Sequence, residues 1–169
     1  TGAVTVTTVP TQTLNNLTIQ NNAIISLASA AANTLTLGNA AGIDFNINSG
    51  SSLTLVATVS ITLPNNATAS LDGILNIGAG NTFNTNNTGN LTTVNGTINN
   101  SGTINGTAAR LTFGATSIYN HTRDGGSIPT ATWNSSSVIN ITGTTTTPPT
   151  GFSQTFGTLN INCGSLTGP

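Results

Sequence analysis

The chain has 169 residues, a net charge of −1 and only 3% charged side chains, against about 25% in an ordinary soluble domain. Its charges are Arg110, Arg123, Asp44, Asp72 and Asp124, which rules out the clustered Lys and Arg of a phosphate-neutralising surface. No apolar run approaches the roughly 18 residues of a membrane helix, so neither nucleic acid nor a membrane span is expected.

Polarity comes from Thr (35) and Asn (25), interleaved with regularly placed Leu and Ile that argue for a folded chain. Val4, Val6 and Val9 read as a first strand closed by Pro10. The N-terminus has no basic region followed by an apolar stretch, so no signal peptide is read there, and the chain is expected to be a mature or excised piece of something longer.

An apolar-polar-apolar phrase then recurs: Leu17-Thr18-Ile19, Leu35-Thr36-Leu37, Leu53-Thr54-Leu55, Leu75-Asn76-Ile77 and Leu111-Thr112-Phe113. The first three copies are evenly spaced, starting at Leu17, Leu35 and Leu53. A second phrase lies inside each early unit: Ile25-Ser26-Leu27, then Ile43 to Ile47, then Val59 to Leu63. The Ala-rich tract from Ile24 to Asn33 sits between strand phrases and is read as part of the repeat rather than as a helix. Corners are expected at Asn21-Asn22, Gly38-Asn39, Asn48-Ser49-Gly50, Pro64-Asn65-Asn66, Asp72-Gly73, Gly78-Ala79-Gly80 and Asn95-Gly96. Gly, Asn and Asp tolerate the left-handed backbone that corners need.

A fixed period of about 20 residues marks a solenoid whose turns bury their apolar faces on one another. The expected fold is all-β: a right-handed parallel β-helix with coils of about 18–22 residues. Leu17, Leu35, Leu53 and Leu75 are expected in one inward column, and Ile19, Leu37, Leu55 and Ile77 in a second. Asn should stack at corners, where its amide bonds to the coils above and below. Residues 1–113 are read as β-helix repeats, 114–150 as an irregular excursion or long loop, and 151–169 as a final coil restored by Leu159-Asn160-Ile161.

The stretch from Asn95 to Gly106, followed by Leu111-Thr112-Phe113-Gly114, resembles large secreted surface proteins of the Bacteroidota. The tail from Phe156 to Cys163 is similar to them as well. The phrase style also resembles autotransporter passengers and filamentous-haemagglutinin-like adhesins. The resemblance implies a β-helical, adhesin-like repeat region, exported by the type IX route to the cell surface or outside the cell. It carries over no catalytic motif.

The densest polar cluster is Tyr119, His121, Arg123 and Asp124, with Trp133 nearby. It is read against two alternatives: a ligand contact, such as a surface glycan, or a plain loop with Trp133 in the core beneath. The three acids are scattered, and Asp44, between Ile43 and Phe45, is expected to point outward. Paired carboxylates for polysaccharide cleavage are therefore not expected, and no catalytic residue, metal or cofactor is assigned. Cys163, the only cysteine, is read as a buried or half-buried free thiol.

The expected function is a structural stalk or adhesive segment, with partners in further repeats of the parent chain or in identical subunits stacked end to end. One alternative is ice binding through an outward column of Thr18, Thr36 and Thr54; another is a carbohydrate-binding or polysaccharide-active β-helix.

Overall fold

Short alternating phrases of β-branched and aliphatic residues, cut by Gly and Asn corners, present an apolar face that equivalent phrases one coil away can cover in register. In the computed structural model, which describes residues 2–38 and 41–163, they do so in three parallel sheets. Sheet A stacks β1 (Ala3–Val6), β4 (Ile24–Leu27), β7 (Ser52–Leu55), β10 (Ile74–Ile77), β13 (Thr97–Asn100), β16 (Ile118–His121), β18 (Val138–Ile141) and β19 (Thr158–Ile161). Sheet B runs β2 (Gln12–Leu14), β5 (Asn33–Leu37), β8 (Val59–Thr62), β11 (Thr82–Asn84) and β14 (Thr103–Asn105). Sheet C runs β3 (Leu17–Ile19), β6 (Phe45–Ile47), β9 (Thr68–Leu71), β12 (Leu91–Val94), β15 (Leu111–Phe113) and β17 (Thr132–Trp133). The chain visits A, B and C in turn, so the fold is a parallel β-solenoid. The eight strands of sheet A make seven coil-to-coil steps, a rod of about 34 Å at about 4.8 Å per step.

The register corrects the expected columns. Leu53 pairs with Ile25 and Leu75 in sheet A, Leu35 with Gln12 and Ile61 in sheet B, and Leu17 with Phe45 in sheet C. The three evenly spaced phrases thus lie on three different faces. All three faces carry the same phrase, and in the early coils the interval from one copy to the next spans two faces rather than a whole turn. The true steps along sheet A are uneven: the one from Ile25 to Leu53 is longer than the step before it, from Val4 to Ile25, and than those after it, down to Ile139 to Leu159. Leu53 and Leu75 do share a column, as do Leu55 and Ile77.

The stretch 114–150 is also more regular than expected. It holds β16, β17 and β18 in register with their neighbours, and only sheet B is interrupted there, leaving the single bridge Ser127–Thr150. The Ile24–Asn33 tract contains β4 and no helix. Leu159-Asn160-Ile161 restores the coil as β19. Asn39 of the expected Gly38-Asn39 corner and residues 164–169 of the final coil lie outside the described residues.

The interior is one continuous column of side chains. In the N-terminal half it is mainly aliphatic, with Phe45 and Phe83 packed edge to face at 5.8 Å. In the C-terminal half it turns aromatic: Phe113 stacks on Trp133 at 4.0 Å, and Tyr119 meets both rings edge-on at 5.8 Å. The turn from sheet C into sheet A is lined by small residues in every coil: Ala23, Ser51, Gly73, Gly96, Ser117, Ser137 and Gly157. Each but the last hands its carbonyl to the next coil, as in Ile74 N–H to Ser51 O at 3.0 Å and Thr97 N–H to Gly73 O at 2.9 Å. At Gly96 a Cβ would collide with the Gly73 carbonyl, so the bend leaves no room for a side chain.

Candidate functional site

β16 places Tyr119 and His121 at alternate positions, and both face inward. Each is fully buried, so neither side chain is presented at the surface. Asn100, one coil earlier, donates its amide to the Tyr119 hydroxyl at 2.9 Å. The hydroxyl lies 3.3 Å from His121 Nδ1, and His121 Nε2 lies 2.7 Å from the Gly125 carbonyl. A carbonyl only accepts, so Nε2 carries the proton and Nδ1 accepts from Tyr119. His121 is neutral in this chain of bonds. Burial pushes its pKa below the ordinary 6.5, and the Arg123 guanidinium adds to that direction. Burial likewise pushes the Tyr119 hydroxyl up to about 12.

Arg123 donates to the Gly102 carbonyl at 2.6 Å, and its guanidinium lies where a Cβ on Gly126 would sit. Asp124 is exposed. Its Oδ1 accepts the N–H groups of Thr145, Thr146 and Thr147 at 2.8–2.9 Å, and its Oδ2 accepts the Thr146 hydroxyl at 2.6 Å. Led by the Thr146 hydroxyl, these bonds hold its carboxyl well below the usual carboxylate range. Trp133 is buried, as the core reading expected, and donates Nε1–H to Gln154 at 3.1 Å. The segment from Tyr119 to Asp124 is therefore a lock. It ties together the 100–102, 119–126 and 145–147 segments, although Arg123 Nε is buried there with no hydrogen-bond partner.

The other candidates are likewise held locally. Asp44 is buried, not outward: Ile43 lies outside β6 and is exposed, so the alternation starts only at Phe45. Its carboxylate accepts the Thr68 N–H at 2.8 Å. Asp72 accepts from Ser70 at 3.0 Å and from Asn95 at 2.9 Å. Among the described residues no three His, Cys, Asp or Glu side chains gather as metal ligands. Cys163 is a half-buried free thiol donating to the Ile141 carbonyl at 3.3 Å. Thr18, Thr36 and Thr54 do not form a column, because they lie on sheets C, B and A; their register partners include Asn46, Thr62 and Asn76.

Two outward arrays escaped the sequence reading. On sheet A, Asn76, Asn99, Asn120, Asn140 and Asn160 form a ladder in which each amide donates to the oxygen one coil earlier at 2.7–3.0 Å, ending on Thr54. These Asn stand mid-strand rather than at corners. Corner Asn bond across coils as well: Asn95 donates to Asp72 on the surface, while Asn81 and Asn90 reach inward to the Leu55 and Leu63 carbonyls. On sheet B the outward positions of successive strands carry Thr34 and Thr36, Ser60 and Thr62, Thr82 and Asn84, then Thr103 and Asn105. The visible signal was a Thr or Asn on each side of an inward residue, as in Thr82-Phe83-Asn84. Beyond β14, the last strand of sheet B among the described residues, a cleft of about 400 Å³ opens between Asn84, Asn87, Asn105 and the Ser127–Thr130 segment. Comparison of the chain with family models, curated proteins and solved structures returned no match.

Proposed function

We propose that this β-solenoid is a structural and adhesive segment of an extracellular, cell-surface protein, and that it works without catalysis. The observation that carries the reading is where the polar chemistry goes: Asp44, Asp72, Asp124, His121 and Arg123 each hold a neighbouring backbone or side chain in place. General acid–base work needs such groups turned toward a substrate. The resemblance of the Asn95–Gly106 phrases to Bacteroidota surface proteins supports the surface location and the type IX route.

The ends support the choice of partner. Val4 and Val6 at one end, and Leu159 and Ile161 at the other, continue the inward columns of sheet A yet stand 37–58% exposed. Further repeats, or a second copy of the chain, would extend those columns. The pattern of β19 (Thr-Leu-Asn-Ile) matches that of β1 (Ala-Val-Thr-Val), so either would pair in register.

Two measurements test the proposal. An antibody raised against the chain should label intact source cells; labelling only after permeabilisation overturns the surface location. A reducing-end assay on neutral and acidic polysaccharides should show no turnover; release abolished by His121→Ala or Asp124→Asn overturns the non-catalytic reading.

A further inference from the structure

Resting on the adhesive reading, we infer that the cleft at the end of sheet B binds a neutral oligosaccharide. The cleft arises because the coil after β14 does not add a strand to sheet B. Its Ser127–Thr130 segment carries Pro129, and Ser127 bridges to Thr150 instead. The β14 edge is left beside a hollow of about 400 Å³, within the roughly 300–1,000 Å³ of small-ligand sites.

Four amides line this hollow with groups to spare, Asn86 keeping its NH2 while its oxygen accepts from Arg110. Asn84 Oδ1 accepts the Asn86 N–H at 3.1 Å, which leaves its NH2 free to donate. Asn87 donates to the Leu63 carbonyl at 2.5 Å, which leaves its oxygen free to accept. Among the described residues no protein group pairs with the Asn105 side-chain amide, which offers both functions. Adjacent donors and acceptors match vicinal sugar hydroxyls, each of which donates and accepts.

Ile104, Ile128 and Pro129 are buried beneath the cleft as its floor, so a sugar would meet a lining that is mainly polar. Among the described residues no charged side chain lines the cleft; the nearby Arg110 is engaged with the Asn86 carbonyl and side-chain oxygen. A carboxylated or sulfated glycan would find no cation there, so the ligand is neutral. The hydroxyl-bearing columns of sheet B lead into the cleft from β11 and β14 and provide a track for a longer chain.

The test is a titration of the isotope-labelled 169-residue chain, followed by NMR, with cellohexaose, xylohexaose, mannohexaose and maltohexaose; hexagalacturonate is the acidic control. At least one neutral hexasaccharide should shift the amide signals of residues 84–87, 103–106 and 127–130, and hexagalacturonate should not. The double variant Asn84→Ala/Asn105→Ala should stay folded, with a small fall in melting temperature from the lost Asn86 N–H bond, and bind roughly tenfold more weakly, about the net worth of one lost hydrogen bond. Asn160→Ala, on sheet A, should bind as the parent does. The proposal is overturned if no neutral hexasaccharide perturbs these signals, if hexagalacturonate shifts them equally, or if the double variant retains parental affinity. Thermal hysteresis lost in Thr62→Lys, with no glycan response, would reassign the face to ice. None of these results bears on surface labelling, so the adhesive location stands or falls separately.

Discussion

His121 and Tyr119 show how single residues set the conditions under which this rod holds. His121 is kept neutral in the fold, with its pKa below the 6.5 it has in the unfolded chain. The unfolded state therefore takes up the proton first, and stability present above pH 6.5 falls as pH drops toward the folded value. Tyr119 runs the other way. Its hydroxyl is raised from 10.0 to about 12, so stability is complete below pH 10 and falls as pH rises toward 12. Denaturant midpoints should form a plateau between these limits. Tyr119→Phe should lower the plateau by about 1–3 kcal/mol, because it strips partners from Asn100 and His121. It should also flatten the alkaline limb; an unchanged limb would refute the assignment to Tyr119.

Gly96 and Gly80 separate two reasons for glycine. Gly80 has φ of +80° with nothing near a Cβ, so Gly80→Ala should cost about 1–2 kcal/mol from backbone conformation alone. Gly96 sits against the Gly73 carbonyl, a backbone atom that cannot step aside. Gly96→Ala should therefore cost about 1–3 kcal/mol through overpacking and also disturb the coil before it. Urea unfolding measures both losses, and amide shifts at Gly73 identify the second.

Among elements, the Asn ladder of sheet A is the clearest unit. Asn120 both donates to Asn99 and accepts from Asn140, so Asn120→Ala removes two bonds. Its half-buried position makes the expected cost roughly 1–2 kcal/mol. Asn99→Ala also removes two, and the two variants share one bond. The double variant should then fall short of additivity by about 1 kcal/mol. Full additivity in a double-mutant cycle would mean that the amides do not act as a ladder. The same logic explains the near absence of charge, since a parallel in-register column places identical residues about 4.8 Å apart and like charges there repel.

At the scale of the whole molecule, the solenoid is quasi-one-dimensional, and each coil touches only its neighbours. Damage to a central coil breaks the stack where damage to an outward position does not. Leu53 and Leu91 both begin an apolar-polar phrase, yet Leu53 is fully buried and Leu91 is 61% exposed. Leu53→Asp should cost at least about 4 kcal/mol, from lost packing and an unpaired buried charge. Leu91→Asp should stay within about 0.5 kcal/mol. Thermal melts of the two variants test the inward assignment directly, and equal losses would contradict it.

The sequence by itself determined the class of the fold. Apolar-polar-apolar phrases at recurring spacing, Gly and Asn corners and the scarcity of charge are local consequences of parallel stacking, so they can be read without knowing which coil meets which. The return of β19 at Leu159–Ile161 was legible for the same reason, as was Trp133 in the core. Only the tertiary structure decided the register. Three faces bear nearly the same phrase, so the even spacing of Leu17, Leu35 and Leu53 fits two faces of a long early coil as well as one turn of a short one; the backbone pairing of Leu53 with Leu75, not with Leu35, resolves it. It also decided the direction of the polar side chains. Tyr119, His121 and Asp44 look like surface groups in a list of residues, but each turns inward onto a hydrogen-bond partner that only the fold brings to it: Asn100, Gly125 and Thr68. The Asn84–Asn105 cleft was beyond reach for the same physical reason. It depends on a strand that fails to join sheet B, and the pairing of a strand is a property of its neighbours one coil away.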